Sequence, residues 1–298
     1  MKTIQLAHTQ DEGYIEQLVE RCIQPDQEDY DLLVEDTATV LRPNGEVLFK
    51  LLRTAIPLEY VEAAWEAFHD KLDPKTQSYR KAIANSANEG SEGVLGYMDR
   101  VHRLNYCRTT ALAKDHLEEY KAAIPMIRAV GDIFAKHMPE RYAAQHEFCQ
   151  TVRPEYLIPE TPFSTVTLNR DVSAVYHTDK GDLKAGFGII AATWARKIEG
   201  GWEVVTENSA EGGLLVFPKC RVAVKIRTGD VLLCDVHEVH GVTQIVGEPG
   251  SWARLSSVYY CREHMNVCGA PSDEIERVSV ADTEKYFGMT TDSVSTAV

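Results

Sequence analysis

Apolar positions in the first half of the chain recur every three to four residues, and from about residue 163 they recur every second residue. The first period predicts helices. Residues 12–23 place Tyr14, Ile15, Leu18 and Val19 on one face, and 58–71 do the same with Tyr60, Ala64, Trp65 and Phe68. Residues 115–137 carry the longest stripe, Tyr120, Ile124, Ile127, Val130, Ile133 and Phe134, interrupted at Pro125, which predicts a local weakening or a kink. A shorter helix is expected over 139–149. Between these helices, Asp31 to Leu52 reads as two strands around the turn Pro43-Asn44-Gly45, and the Gly-, Ser- and Asn-rich stretch 84–96 reads as a loop, either a lid or plain surface.

The second period predicts short strands at 163–169, 173–178, 186–193, 202–206, 213–217, 222–226, 230–235, 241–246 and 254–261. About eight such strands after a helical first half point to an α+β fold, a double-stranded β-helix (jelly roll) with helices packed outside. The expected organisation is one domain over 1–298: a mainly helical part to 160, a jelly-roll core over 161–265 and an acidic surface extension over 270–298. No internal repeat is visible.

Chemistry concentrates in the strand-rich half. His177-Thr178-Asp179 puts an imidazole and a carboxylate on one side of a strand end, because strand side chains alternate. Chance alone supplies a His-x-Asp about as often as not in a chain with 10 His, so ordinary strand-end residues are the competing reading. Order argues for a site. Downstream, Gly229-Asp230-Val231-Leu232-Leu233-Cys234-Asp235-Val236-His237-Glu238-Val239-His240 offers a further imidazole, from His237 or His240. Two His and one carboxylate on one face of a metal leave open positions, as in non-haem Fe(II) oxygenases. Arg254 follows fourteen residues after His240, where a guanidinium would pair with the distal carboxylate of 2-oxoglutarate. The competing role for Arg254 is a structural ion pair.

Composition narrows the setting. The 298 residues are 44% apolar and carry a net charge of −14, which argues against general affinity for nucleic acid or anionic membranes. A local basic strip remains, from Arg100, His102, Arg103, Arg108 and Lys114, with Lys180 and Lys184 beside the metal motif. The start lacks an apolar leader and no run has the length of a membrane span. Seven scattered cysteines form no framework, so a reduced, cytosolic setting is expected. Cys261, His264 and Cys268 lie close together, but their spacing matches no strong zinc pattern.

Several pieces carry a family resemblance: Gly96-Tyr97-Met98-Asp99-Arg100, Cys107-Arg108-Thr109-Thr110-Ala111, Phe163 to Asn169, His177 to Asp182, Gly186-Phe187-Gly188, Gly212 to Pro218, Asp235 to Thr243 and Arg254 to Tyr260. Together they resemble the TET/J-binding-protein family of Fe(II)/2-oxoglutarate dioxygenases, most of all the compact members encoded by bacteriophages. The likeness covers roughly half of the chain and nothing in the first 90 residues. It implies Fe(II), 2-oxoglutarate and O2 as cofactors, and a flipped-out 5-methylpyrimidine base of DNA as substrate, hydroxylated at its methyl group in the (host) cytoplasm. His177, Asp179 and His240 would hold the iron; His-Gly-Val-Thr at 240–243 favours His240 over His237, and both cannot point inward from one regular strand. Arg254 would bind the distal carboxylate of 2-oxoglutarate, and Arg108 could meet the proximal one, a phosphate contact or a surface role being equally open. Asp182 and Tyr260 occupy base-contacting positions. Arg262 stands where the family has a base-contacting His.

A carboxylate that accepts and a guanidinium that donates complement the cytosine edge, so 5-methylcytosine is expected ahead of thymine. A dioxygenase of a free nucleotide or other metabolite, and a jelly-roll module without turnover, are the rival classes.

Overall fold

The computed structural model describes residues 1–74, 90–101, 104–207, 210–246 and 250–278. The run Gly188-Ile189-Ile190-Ala191-Ala192 has no polar face. The strand Gly188–Ile198 accordingly sits inside the larger sheet, where both faces are covered. That sheet runs in the order Lys2–Gln5, Ala38–Leu41, Val47–Leu52, Val231–Cys234, Gly188–Ile198, Trp252–Tyr260, Thr165–Arg170, Ser91–Met98 and Asp73–Pro74. A five-stranded sheet, Leu32–Val34, Val222–Val224, Leu215–Phe217, His240–Val242 and Ala174–His177, lies opposite.

Alternation sorts the side chains between the two faces of the larger sheet. Ile190, Ala192, Phe49, Leu51, Leu232 and Cys234 meet Leu215, Phe217, Val222 and Val224 of the smaller sheet, closing the sandwich. Ile189, Ala191, Val166, Leu168, Leu255 and Tyr259 turn the other way. There they meet Val61, Trp65 and Phe68 of helix Leu58–Phe68 and Ile127, Val130 and Phe134 of helix Leu117–His137. Pro125 lies inside this second helix, which is continuous through it. Helix Pro139–Cys149 follows, with Pro139 at its first turn, where the missing N–H costs nothing. This is the jelly roll with external helices.

Three features differ from the sequence expectation. The first 160 residues carry several strands beside their helices. Their strands Lys2–Gln5, Ala38–Leu41 and Val47–Leu52 continue the larger sheet past Val231–Cys234, and Leu32–Val34 pairs in parallel with Val222–Val224. Ala38–Leu41 and Val47–Leu52, paired antiparallel around Pro43-Asn44-Gly45, are the two strands expected there, whereas Lys2–Gln5 and Leu32–Val34, short and paired with chain far away, leave little local periodicity to read.

Secondly, part of the expected loop 84–96 is a strand, Ser91–Met98, paired antiparallel with Thr165–Arg170; residues 84–89 lie outside the described residues. Its glycines serve close packing, not a turn. A Cβ on Gly93 would lie 2.6 Å from the Leu112 side chain, and Gly96, at φ +86°, would bring one 2.4 Å from the Ser164 carbonyl oxygen.

Thirdly, the tail is not merely a surface extension. Residues 271–278 are helical and Glu274 is buried. Its carboxylate accepts from the N–H groups of Cys107 (2.8 Å) and Gly269 (2.7 Å) and pairs with Arg100. Beside it, Cys107 and Cys268 form a disulfide across 161 positions, a separation that no spacing rule reveals. Cys261 instead faces Cys149, sulfur to sulfur at 3.7 Å, so Cys261, His264 and Cys268 form no metal group.

Burial alone would raise the Glu274 carboxyl, but its bonds from Arg100, Cys107 and Gly269 hold it down at about 2, from an ordinary 4.5. A depressed folded value means a stabilising contribution present above the ordinary carboxylate range and lost as pH falls through the folded value. Between roughly pH 4.5 and 2 the stability advantage of the native chain over Glu274→Gln should therefore shrink toward zero. Denaturant titrations of both proteins across that window check this, and a gap independent of pH would contradict it.

Candidate active site

The larger sheet's inner face becomes polar where it leaves the sandwich core. On Trp252–Tyr260 the even positions Arg254, Ser256, Val258 and Tyr260 point inward; on Thr165–Arg170 they are faced by Thr167 and Asn169, the register partners of Val258 and Ser256. With His177, Asp179, Asp182, His240 and Arg262 these side chains line a cavity of about 370 Å3. Polar residues on a face that elsewhere is aliphatic mark a built site.

His177 and His240 are direct partners across the antiparallel pair Ala174–His177 and His240–Val242, their ring centroids 4.6 Å apart. Asp179 lies just past the strand end, with Oδ1 at 3.4 Å from Nε2 of His177 and Oδ2 at 3.8 Å from Nε2 of His240. One ligand atom of each residue falls within 4.8 Å of the others, and this is the one such group among the described residues.

Both imidazoles are oriented alike. Nδ1 of His177 donates to the Val175 carbonyl at 2.8 Å and Nδ1 of His240 to the Glu238 carbonyl at 2.9 Å. That turns each Nε2 toward the carboxylate, the nitrogen a metal would take when the rings are neutral. His237 is turned away. Its Nε2 meets the Asp182 carbonyl at 3.3 Å and its Nδ1 meets Asp235 at 3.3 Å.

Arg254 is 3% exposed, with Nε lacking any hydrogen-bond partner. Burial pushes its guanidinium down to about 10, against the pull of Asp171, whose carboxylate is occupied by the Arg254 backbone N–H at 2.7 Å. A buried cation with an orphaned donor, inside the cavity of the triad, fits the carboxylate of a small dianion. The donor set therefore suits both ferrous iron and 2-oxoglutarate.

Arg108 is not brought to this cavity. Its guanidinium donates to the carbonyls of Asp99 (3.2 Å) and Tyr106 (3.4 Å) and lies over the Tyr106 ring. Two backbone carbonyls hold its Nη1 away from the residues lining the cavity, so the expected contact with the keto acid is not supported. Of the basic strip, Arg100 is also committed, to Glu274, and His102 and Arg103 lie outside the described residues. Lys180 and Lys184 are exposed, Lys180 beside the cavity mouth.

Three further expected residues do reach the cavity. Tyr260 donates to or accepts from Thr167 at 3.0 Å, and burial pushes its phenol up to about 12. Asp182 and Arg262 pair through their backbones as an isolated antiparallel bridge. The Arg262 side chain meets Asp99, 1% exposed, at 2.5 Å. Burial would lower Arg262, yet Asp99, helped by Tyr260 and Asp182, holds it above its ordinary value. Sequence reasoning picked out the stretch containing Asp99 without giving that residue a task, because its partner is 163 positions away.

Residues 93–263 match the Tet_JBP family, the oxygenase domain of the 2OGFeDO superfamily. The chain belongs to that family. Fe(II), 2-oxoglutarate and O2 are the cofactors of Tet_JBP oxygenases, and the cavity just described holds the side chains to receive them.

Among curated proteins, thymine dioxygenase JBP1 of Crithidia fasciculata is 31% identical over 82% of this chain and 28% of its own length. That of Leishmania braziliensis is 30% identical over 81% and 27%. The bifunctional helicase and thymine dioxygenase JBP2 of Trypanosoma brucei brucei is 26% identical over 84% and 21%. This Tet_JBP chain thus spans about a quarter of the length of those relatives. NgTET1 in complex with 5mC DNA shares its fold, with a TM-score of 0.57 at 15% identity, covering 90% of this chain and all of that one. No helix among the described residues is long and apolar enough to cross a membrane.

Proposed function

We propose that this Tet_JBP oxygenase hydroxylates the 5-methyl group of a pyrimidine base in DNA, 5-methylcytosine first, and that its 298 residues act as one catalytic unit in the cytoplasm. One observation carries the reading. A carboxylate, Asp182, and a guanidinium, Arg262, flank Tyr260 in the same cavity as the triad and Arg254. His177, Asp179 and His240 would hold ferrous iron, which activates O2 for attack on a C–H bond. Arg254 anchors the distal carboxylate of 2-oxoglutarate by charge-assisted hydrogen bonds in a site shut off from water.

The remaining residues orient the base. Tyr260 offers a ring face for stacking. Asp182 accepts from the exocyclic amine of cytosine and Arg262 donates to N3 and O2 of the same edge. Asp99 holds the Arg262 side chain in place for this task. A base stacked inside a duplex cannot present its methyl group to this cavity, so it enters flipped out, at a cost of a few kcal/mol. Lys180 and Lys184 supply local positive charge against the net −14 of the chain. The continuation of the larger sheet into the first 52 residues supports a single unit. A scattered, odd cysteine set supports the cytoplasm, with the Cys107–Cys268 disulfide as the contrary sign.

Thymine is the second reading, favoured by the names of the relatives. Its N3–H can donate to Asp182 while O4 or O2 accepts from Arg262. Nucleoside mass spectrometry after incubation with methylated and unmethylated duplexes separates the two. Hydroxymethylcytosine from the methylated duplex alone is the expected product. Hydroxymethyluracil without it would hand the assignment to thymine, and succinate release with neither product would move it to a small-molecule substrate.

A further inference from the structure

The turn 235–238 touches two of the three triad residues through its backbone. Its Glu238 carbonyl accepts from Nδ1 of His240 at 2.9 Å, and its Val236 carbonyl accepts the Asp179 N–H at 3.1 Å. The side chains of this turn are gripped from outside the matched family region by Arg42. The Arg42 guanidinium donates to Oδ2 of Asp235 at 2.9 Å and to Oε2 of Glu238 at 3.2 Å, with its remaining nitrogen fixed on the Val47 carbonyl at 3.1 Å. All three side chains are largely buried, at 14%, 21% and 12% exposure. Asp235 ties the clamp inward, accepting the His237 N–H at 3.2 Å and donating its own to the Leu48 carbonyl at 3.1 Å.

We propose that Arg42 is a positioning residue of the metal centre, holding the turn whose carbonyls set the His240 ring and the Asp179 backbone. This rests on the triad being a metal site. A planar fork reaches two carboxylates and a carbonyl at once, whereas a lysine offers a single point charge. Partners that orient metal ligands are worth roughly 10- to 100-fold in metal affinity. The hairpin Ala38–Leu41 and Val47–Leu52, which carries no chemical motif, thereby takes a share in the centre.

The test is Co(II) titration of the full chain, followed by visible absorption, for the native protein and for Arg42→Met, Arg42→Lys and Arg53→Met. Arg53 is the control. It pairs with Asp230 at 3.0 Å at the opposite end of the same two strands, Val47–Leu52 and Val231–Cys234, away from the turn. Arg42→Met should bind Co(II) roughly 10- to 100-fold more weakly with an altered spectrum, Arg42→Lys should fall between, and Arg53→Met should keep native affinity despite a lower melting temperature. Native affinity and spectrum in Arg42→Met would overturn the proposal, as would equal weakening in Arg53→Met, which would signal general loosening.

Should Arg42→Met not fold, Glu238→Ala keeps the backbone carbonyl and removes one arm of the clamp; it should show a smaller loss, and no loss overturns the proposal. A native protein that binds no Co(II) would overturn the triad reading itself, an outcome distinct from all of these.

Discussion

Arg254→Met is expected to weaken 2-oxoglutarate binding by roughly 30-fold to several-thousand-fold while raising the melting temperature of the ligand-free protein. The two effects share one cause. Truncating one partner of a buried charge pair costs about 2–5 kcal/mol, with tenfold in affinity for each 1.4 kcal/mol. Without the keto acid, the same guanidinium is a buried cation whose Nε has no partner and whose nearest carboxylate is already engaged. Replacing such a group by an apolar side chain of similar volume is neutral or stabilising by roughly 1–4 kcal/mol. Calorimetric titration of 2-oxoglutarate into metal-loaded protein and a melting curve without ligand read the two halves separately. Unchanged affinity would remove Arg254 from the co-substrate site, and a large fall in melting temperature would make it a structural ion pair.

His240→Ala should lose stoichiometric iron and drop turnover to background, whereas His237→Ala should retain iron. The geometry decides between them. His240 aims Nε2 at Asp179 beside His177, while His237 spends its Nε2 on the Asp182 carbonyl. The His237 variant should instead show its defect in substrate handling, since the Asp182 loop loses a tether. Iron content after reconstitution, with succinate release as a second reading, distinguishes them. Intact loading in His240→Ala together with loss in His237→Ala would reverse the assignment.

What could be read from the chain follows from how far apart the interacting groups are. His177 and Asp179 are legible because strand alternation is a local rule, and Arg254 because an arginine in an alternating strand must point one way or the other. The jelly roll shows in the same period. Asp99 against Arg262, Arg42 against the 235–238 turn and Cys107 against Cys268 join distant segments, and no local pattern encodes such pairs. Strand Ser91–Met98 was hidden for another reason: glycine required by tight packing looks, in a sequence, like glycine required by a loop.

The facing of His177 and His240 across two paired strands has one more implication. The gap between the imidazoles is inherited from the spacing common to every antiparallel sheet, and the 62 intervening residues have no say in it except through register. Extra length at the exposed turn Glu199-Gly200 would leave the gap untouched. One residue added inside either short strand would swing an imidazole to the opposite side of the sheet, far from its companions.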